Sequence, residues 1–401
     1  MERVLSGIRV LDLSHVLAAP YASMMLADLG AEVIHVEPPD GDDAREYSPY
    51  IGKVDKNTSG YFISLNRNKK SIVLNLRHEK GKQILRQLIK ISDILIENFR
   101  NTTMESLGFS WPEIQRLNPR MIYASITGFG HNTLPEYASK PAYDMVVQAY
   151  SGLMSITGPE GGEPCRVGNS IGDILAGHQA VIGILAALLY RQKSGRGQHY
   201  DGAMVDGLFA TLENAVVRYT ATGEVPEPLG TASPSITPFQ AFPTKDNWIV
   251  IAIGNQKLWT QFCRVLGAPQ LIDDPRFTAN PQRNKNRKIL ADEISVRTKT
   301  KTTAEWSAIF DKESLPYSPV NNMKEICEDP HIKERKMLVE VDQPGVGKIK
   351  IAGSPIHLSE TPGDIYSPAP RLGEHTEEVL KGLLNVTDAE IEALRKEEVI
   401  N

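Results

Sequence analysis

Apolar runs of strand length alternate with amphipathic runs of helix length through the opening third of this chain. Ile8-Arg9-Val10-Leu11-Asp12-Leu13 predicts a strand, Pro20 to Leu29 a helix with Pro20 near its first turn and Gly30 at its stop, and Glu32-Val33-Ile34-His35-Val36-Glu37 a second strand. The unit recurs. Ser71 to Leu76 predicts a strand and Glu79 to Ser92 a helix with Ile84, Leu85, Leu88 and Ile89 on one face. Asp93 to Glu97 predicts a strand, and so does Met121 to Thr127 after a short helix near Trp111 to Leu117. Strands alternating with helices predict an α/β fold whose parallel, Rossmann-like sheet is covered on both faces.

Helices are expected next from Ala142 to Gly152, Ile174 to Gln192 and Asp201 to Thr222. The composition then changes, because Pro226, Pro228, Pro234, Pro238 and Pro243 with Gly230 make a linker rather than an element. A large domain over 1–222 is therefore expected, then a linker and smaller α+β domain over 223–333, and a segment over 334–401 returning to the large domain. The small domain carries a strand at Trp248 to Ile253, a helix at Gln256 to Leu266, and helices at Asn284 to Thr298 and Ala304 to Phe310. The last segment has strands at Leu338 to Val341 and Lys348 to Ala352, then helices at Thr376 to Leu384 and Asp388 to Val399.

The chain has 401 residues, enough for more than one core when a domain takes roughly 100 to 200 residues. Its 44 Lys and Arg against 49 Asp and Glu leave a net charge of −5 with no block of like sign, which disfavours nucleic acid or an anionic membrane as partner. Three cysteines, Cys165, Cys263 and Cys327, form no CxxC pair, so neither a disulfide framework nor a thiolate metal site is expected. The N-terminus carries no signal or transit pattern, and a reducing, cytoplasmic setting fits. The longest apolar stretch, Ile174 to Tyr190, is interrupted by Gly177, His178 and Gln179 and falls short of the roughly 20 residues a bilayer needs, so it reads as a buried helix.

A parallel sheet invites a ligand beyond the carboxyl ends of its strands. The first turn, Ser14-His15-Val16-Leu17-Ala18-Ala19-Pro20, has no GxGxxG, and GxxxxGK[ST], HExxH and GxSxG are absent throughout. Dinucleotide, P-loop and zincin chemistries are disfavoured. The run Gly168-Asn169-Ser170-Ile171-Gly172-Asp173-Ile174-Leu175-Ala176-Gly177 sets one carboxylate where an apolar helix begins. On spacing alone the commoner use of such an aspartate is as a helix cap. The other reading is a carboxylate nucleophile, with small neighbours admitting a substrate carbonyl and backbone N–H groups available to an oxyanion.

Eight segments in order carry a resemblance. They are Arg9 to Val16; Leu29-Gly30-Ala31-Glu32 through Pro39 with Gly41, Asp42 and Arg45; Glu97-Asn98-Phe99-Arg100; Asn118 to Ser125; Lys140-Pro141-Ala142-Tyr143-Asp144; the Asp173 run; Ser194-Gly195-Arg196-Gly197-Gln198; and Leu372-Gly373-Glu374-His375-Thr376. On these the chain resembles, from end to end, the class III coenzyme A transferases, the group that includes formyl-CoA transferase, with α-methylacyl-CoA racemase as a sister. The resemblance implies CoA transfer from an acyl-CoA, succinyl-CoA among the candidates, to a carboxylic acid, with CoA esters as substrates and no metal. It implies Asp173 as covalent nucleophile, forming first a mixed anhydride and then a CoA thioester. It implies CoA contacts at Leu17 and Ala18, at Leu74, Asn75, Leu76 and Arg77, at Asn98, Phe99 and Arg100, and at Lys140 and Tyr143. Arg77, Arg100 and Lys140 are suitable partners for the phosphates, although a surface Arg or Lys is more often simply solvated. An interlaced homodimer is implied as well.

This chain departs from the family at Pro38 and Ser106, where formyl-CoA transferase has arginines that touch CoA; Arg45 or Arg100 would have to replace them. The stretch Ala252-Ile253-Gly254-Asn255-Gln256 has one glycine where formyl-CoA transferase has four, which points toward larger, succinate-type acids and away from oxalate. The residues equally allow a plain strand-to-helix connection capped by Asn255. His15 stands where it would touch substrate, or it serves structure. Racemisation is the main alternative, but Tyr143 takes the place of the racemase histidine, and a phenol ordinarily near 10 is a poor base at neutral pH. A CoA-ester lyase or hydratase and a non-catalytic CoA-binding protein are the further alternatives.

Overall fold

A computed structural model describes residues 3–401. The chain divides into two compact units, one of residues up to Leu153 with Val167–Val216 and Pro330–Asn401, the other of Met154–Arg166 with Val217–Asp329.

The first unit is built on six parallel strands, β1 (Arg9–Asp12), β2 (Glu32–Glu37), β3 (Lys69–Val73), β4 (Ile94–Glu97), β5 (Ile122–Thr127) and β6 (His199–Ala203). Their order is β3-β2-β1-β4-β5-β6. Successive strand residues face opposite sides. Val10, Ile94 and Ile96 accordingly join one apolar cluster with Ala22, Leu26, Ala180 and Ile184, while Leu11 and Leu95 join another with Leu85, Leu88 and Leu380. Both faces are thus buried, as a parallel sheet requires. The C-terminal segment completes the second face: Thr376 Oγ1 accepts from Val73 N–H at 3.1 Å, and Val399 O from Asn75 N–H at 2.9 Å. Leu338–Gln343 and Gly347–Ala352 form an antiparallel hairpin in the same unit.

Two expectations are corrected. Asp201 does not open a helix but lies in β6, opposite Ser125 of β5, and helices follow only at Met204–Thr211 and Glu213–Thr222. His199 to Ala203, with Asp and Gly among its residues, has weak strand propensity, so the pairing edge of β5 decides its state. The apolar helix is also longer than Ile174 to Gln192: it spans Ile171–Ser194, 24 residues. By length and composition alone it would suffice to cross a membrane, yet Ala176, Ala180, Ile184 and Leu188 are buried in the core of the first unit. Gly177 permits that packing, since a Cβ there would lie 2.8 Å from the Ala18 carbonyl.

The Ser194-Gly195-Arg196-Gly197-Gln198 run ends this helix for two different reasons. Gly195 takes φ 72°, the left-handed C-cap. Gly197 lies so close to the entry of β5 that a Cβ would fall 1.9 Å from the Met121 carbonyl oxygen. Gly197→Ala is expected to destabilise the first unit by about 1 to 3 kcal/mol through overpacking, read as a lower urea midpoint.

The second unit holds the antiparallel strands Phe239–Pro243, Trp248–Ala252 and Tyr317–Pro319 around a core of Trp259, Phe262, Phe310 and Trp306.

Candidate active site

The chain leaves β1 toward β2 and β4 toward β5 in opposite directions, so a crevice must open where the carboxyl ends of β1 and β4 adjoin. A cavity of about 320 Å³ lies there. Its walls are His15, Leu17 and Ala18 after β1, Asn98, Phe99 and Arg100 after β4, then Lys140, Tyr143 and Asp173. A second cavity, of about 470 Å³, is lined by Leu74, Asn75, Leu76 and Arg77 after β3 together with Pro38 and Asp40. His15, Phe99 and Thr103 border both, and the His15 and Phe99 rings stack at 5.6 Å.

The first turn is held by side chains rather than by a glycine fingerprint. Asn98 accepts from His15 N–H at 2.9 Å and donates to His15 O at 2.8 Å, tying the loops after β1 and β4. Asp42 accepts from Val16 N–H at 3.0 Å. Val16 needs this anchor, because its φ of 66° is strained for a β-branched residue. Beneath the wall, Glu97 accepts from Phe99 N–H at 2.7 Å and from Tyr123 Oη–H at 2.8 Å. Burial pushes its carboxyl up to about 7.

Three cations implied by the resemblance, Arg77, Arg100 and Lys140, are exposed on these cavities. Lys140 Nζ stands 5.3 to 5.4 Å from the centroids of Phe129, Tyr137 and Tyr150. Such cation–π contacts, each about 0.5 to 1 kcal/mol when exposed, limit where the ammonium can go. Arg45 is not available to a ligand: buried over the Phe62 ring, it pairs with Glu37 at 2.7 and 2.8 Å. Of the two arginines offered in place of those missing at Pro38 and Ser106, only Arg100 borders the cavity.

Asp173 is the third residue of the Ile171–Ser194 helix, and Ser170, not Asp173, occupies the cap. The capping use of this aspartate is therefore corrected. A helix N-terminus favours an anion, yet burial, with the Asp144 carboxylate adding to it, pushes Asp173 up to about 7. The result is a carboxyl group at the cavity wall whose charged form is poorly solvated.

Gly254, Asn255 and Gln256 belong to the second unit, where the Asn255 side chain accepts from Leu258 N–H at 3.0 Å and caps the Gln256–Val265 helix. Sequence reasoning missed Thr103, Thr127, Gly128 and Met204 among the cavity walls, for which no motif gave a signal. It quoted Asp144 beside Tyr143 but gave it no role. Among the described residues no group of His, Cys, Asp and Glu is arranged to hold a metal ion.

Comparison with known proteins bears on this site. The family described as CoA-transferase family III matches residues 5–376. Succinyl-CoA:glutarate CoA-transferase of Mus musculus is 38% identical over 391 residues, covering 97% of this chain and 88% of that protein. Acetyl-CoA:oxalate CoA-transferase of Acetobacter aceti is 39% identical over 376 residues, covering 92% of each. A CAIB/BAIF family protein from Brucella suis superposes with a TM-score of 0.85 at 35% identity, over 96% of this chain and all of that one (100%). The chain belongs to CoA-transferase family III, and its reaction is the transfer of coenzyme A between an acyl-CoA and a carboxylate.

Proposed function

We propose that this enzyme transfers CoA from a short acyl-CoA, succinyl-CoA foremost, to a second carboxylic acid through covalent intermediates on Asp173. The observation that carries the reading is a poorly solvated carboxylate at the wall of the switch-point cavity. The Asp173 carboxylate attacks the thioester carbonyl, the C–S bond breaks and CoA leaves as thiolate, giving a mixed anhydride. The thiolate then attacks the aspartyl carbonyl, releasing the donor acid and leaving an Asp173–CoA thioester. The acceptor carboxylate attacks that thioester, and the thiolate so freed takes the acceptor acyl group from the new anhydride, restoring Asp173.

In this reading the nucleotide end of CoA occupies the cavity at Leu74 to Arg77, with Arg77 and Arg100 meeting phosphates. The pantetheine arm passes His15 and Phe99 along Leu17, Ala18 and Asn98 toward Asp173, between Lys140 and Tyr143. Succinyl-CoA is favoured as donor and a larger dicarboxylate as acceptor by the relative named for succinyl-CoA and glutarate, in line with the single glycine at Gly254, while the relative named for acetyl-CoA and oxalate keeps oxalate in the acceptor panel against that reading. A homodimer is part of the proposal, supported by the exposed apolar side chains Ile182, Leu189 and Tyr190 along one helix. The free thiols Cys165, Cys263 and Cys327 fit a cytoplasmic setting.

The test is mass spectrometry of CoA esters after incubation with succinyl-CoA, acetyl-CoA or formyl-CoA and a panel of acids, with Asp173→Ala alongside. A new ester that requires both acceptor and Asp173 is expected. Unchanged esters with solvent deuterium at the α-carbon of a branched acyl-CoA would move the assignment to racemase. A pH profile adds a second check: with Asp173 ionising near 7, kcat/KM for the acyl-CoA is expected to fall about tenfold per pH unit below that value.

A further inference from the structure

We infer that Asp144 and Gln148 form a buried clamp that holds the turn carrying the nucleophile, making both of them positioning residues for CoA transfer. The inference rests on Asp173 being the nucleophile. Neither residue is among the cavity walls. Both sit on the short Asp144–Tyr150 helix, and both are buried, Gln148 completely. Asp144 Oδ1 accepts from Gly172 N–H at 2.8 Å, next to Asp173 in the chain. Its Oδ2 accepts from Gln148 Nε2–H at 2.7 Å, and Gln148 Oε1 accepts in turn from Val167 N–H at 2.9 Å. One carboxylate and one amide thus pin the run from Val167 to Gly172 at both ends.

The fit at the clamp is close. A Cβ on Gly172 would lie 2.9 Å from Val147 Cγ2 and 3.1 Å from Asp144 Oδ1, so only glycine lets the backbone reach the carboxylate without a shift. A carboxylate and an amide buried this deeply are stable only when their polar atoms are paired, and here the partners are mainly backbone N–H groups of the nucleophile turn. Disturbing either side chain therefore releases that turn first. Misplacing a reacting carboxylate by about 1 Å can cost on the order of a hundredfold in rate.

The clamp also places a second anion beside Asp173. Acylation turns Asp173 into a neutral anhydride or thioester, so repulsion from Asp144 is present in the free enzyme and relieved in each covalent intermediate. The substitution Asp144→Asn would keep an oxygen for Gly172 but set a new NH₂ against the NH₂ of Gln148. Adding Gln148→Glu resolves that conflict, because the introduced carboxylate accepts both from the new amide and from Val167 N–H. Gln148→Glu alone would instead set two carboxylates against each other.

The experiment compares Asp144→Asn, Gln148→Glu and the double variant carrying both in steady-state CoA transfer, with Asp173→Ala as control and thermal melts of each. The single variants are expected to lose about a hundredfold in kcat with KM for the acyl-CoA within about threefold, and the double variant to regain most of the loss. Singles that turn over as wild type, a loss that appears only in KM, or a folded double variant no better than the singles would each overturn the clamp. Amide hydrogen exchange in the wild-type enzyme gives a reading independent of folding in the variants. Gly172 and Val167 are expected to be protected, and free exchange at both would overturn the inference. Should Asp173→Ala retain turnover, it is the nucleophile assignment that fails.

Discussion

Asp173→Asn is expected to lower CoA transfer by at least about 10⁴-fold, because in the proposed mechanism it removes the group that becomes acylated and leaves binding as the only remaining contribution. The same variant is expected to be more stable than the wild type at pH 8. The native state holds Asp173 up at about 7 against an ordinary 3.8, so it binds a proton that the unfolded chain has released. The wild type then loses stability relative to Asp173→Asn as the pH rises from about 4 to 7, with a plateau above that, and the full difference is at most about 4 kcal/mol. Urea midpoints of both proteins at pH 4 and pH 8 read this directly. Equal midpoints at pH 8 would mean that the carboxylate is well solvated and the electrostatic basis of its reactivity is absent.

The second large effect lies beneath the site. Lys69 is fully buried, with Nζ 3.0 Å from Asp12 Oδ2, 3.0 Å from Pro20 O and 2.8 Å from Asn66 Oδ1. Asp12 also accepts from Ser23 Oγ–H at 2.5 Å, from Ser14, and faces His35 Nδ1 at 3.2 Å. Burial alone would raise the Asp12 carboxyl, but Lys69 and His35 outweigh it and hold it well below the usual range. Lys69→Met leaves that charge short of its main partner and is expected to cost about 3 to 5 kcal/mol. Asp12→Asn combined with Lys69→Met should cost less than the two singles together, since neither charge then stays unpaired. A double variant as damaging as the summed singles would show that the lysine stabilises by packing and not by pairing.

This cluster explains why the turn after β1 can be irregular. Asp12 is the last residue of β1, and Ser14 and Ser23 on either side of the turn both donate to it. Together with Asp42 on Val16 and Asn98 on His15, it fixes a cavity-facing backbone that contains no glycine. The absence of GxGxxG therefore excluded one nucleotide chemistry without excluding a nucleotide-bearing ligand.

The alternation of strand and helix was legible because each element repeats its own apolar period, 2 or 3.6, over enough residues to stand out. That periodicity by itself determined the parallel sheet, and ordered motifs determined the family and singled out Asp173. β6 was illegible, because His199 to Ala203 becomes a strand only through its pairing with β5. Periodicity also says nothing of which charged groups are buried. Arg45 read as a free cation until Glu37, far enough along another element to leave no local signal, was found to hold it. On spacing alone Asp173 read more readily as a cap, until the helix was seen to begin at Ile171 with Ser170 as its cap and the Asp144 charge acting on Asp173. Burial and partner choice arise from contacts between segments distant in the chain, and low dielectric makes those contacts decisive for charge. The sequence by itself thus determined the sheet, the family and the candidate nucleophile; only the tertiary structure decided which charges are held inside, which face the cavity, and which side chains bond the turn that precedes Asp173.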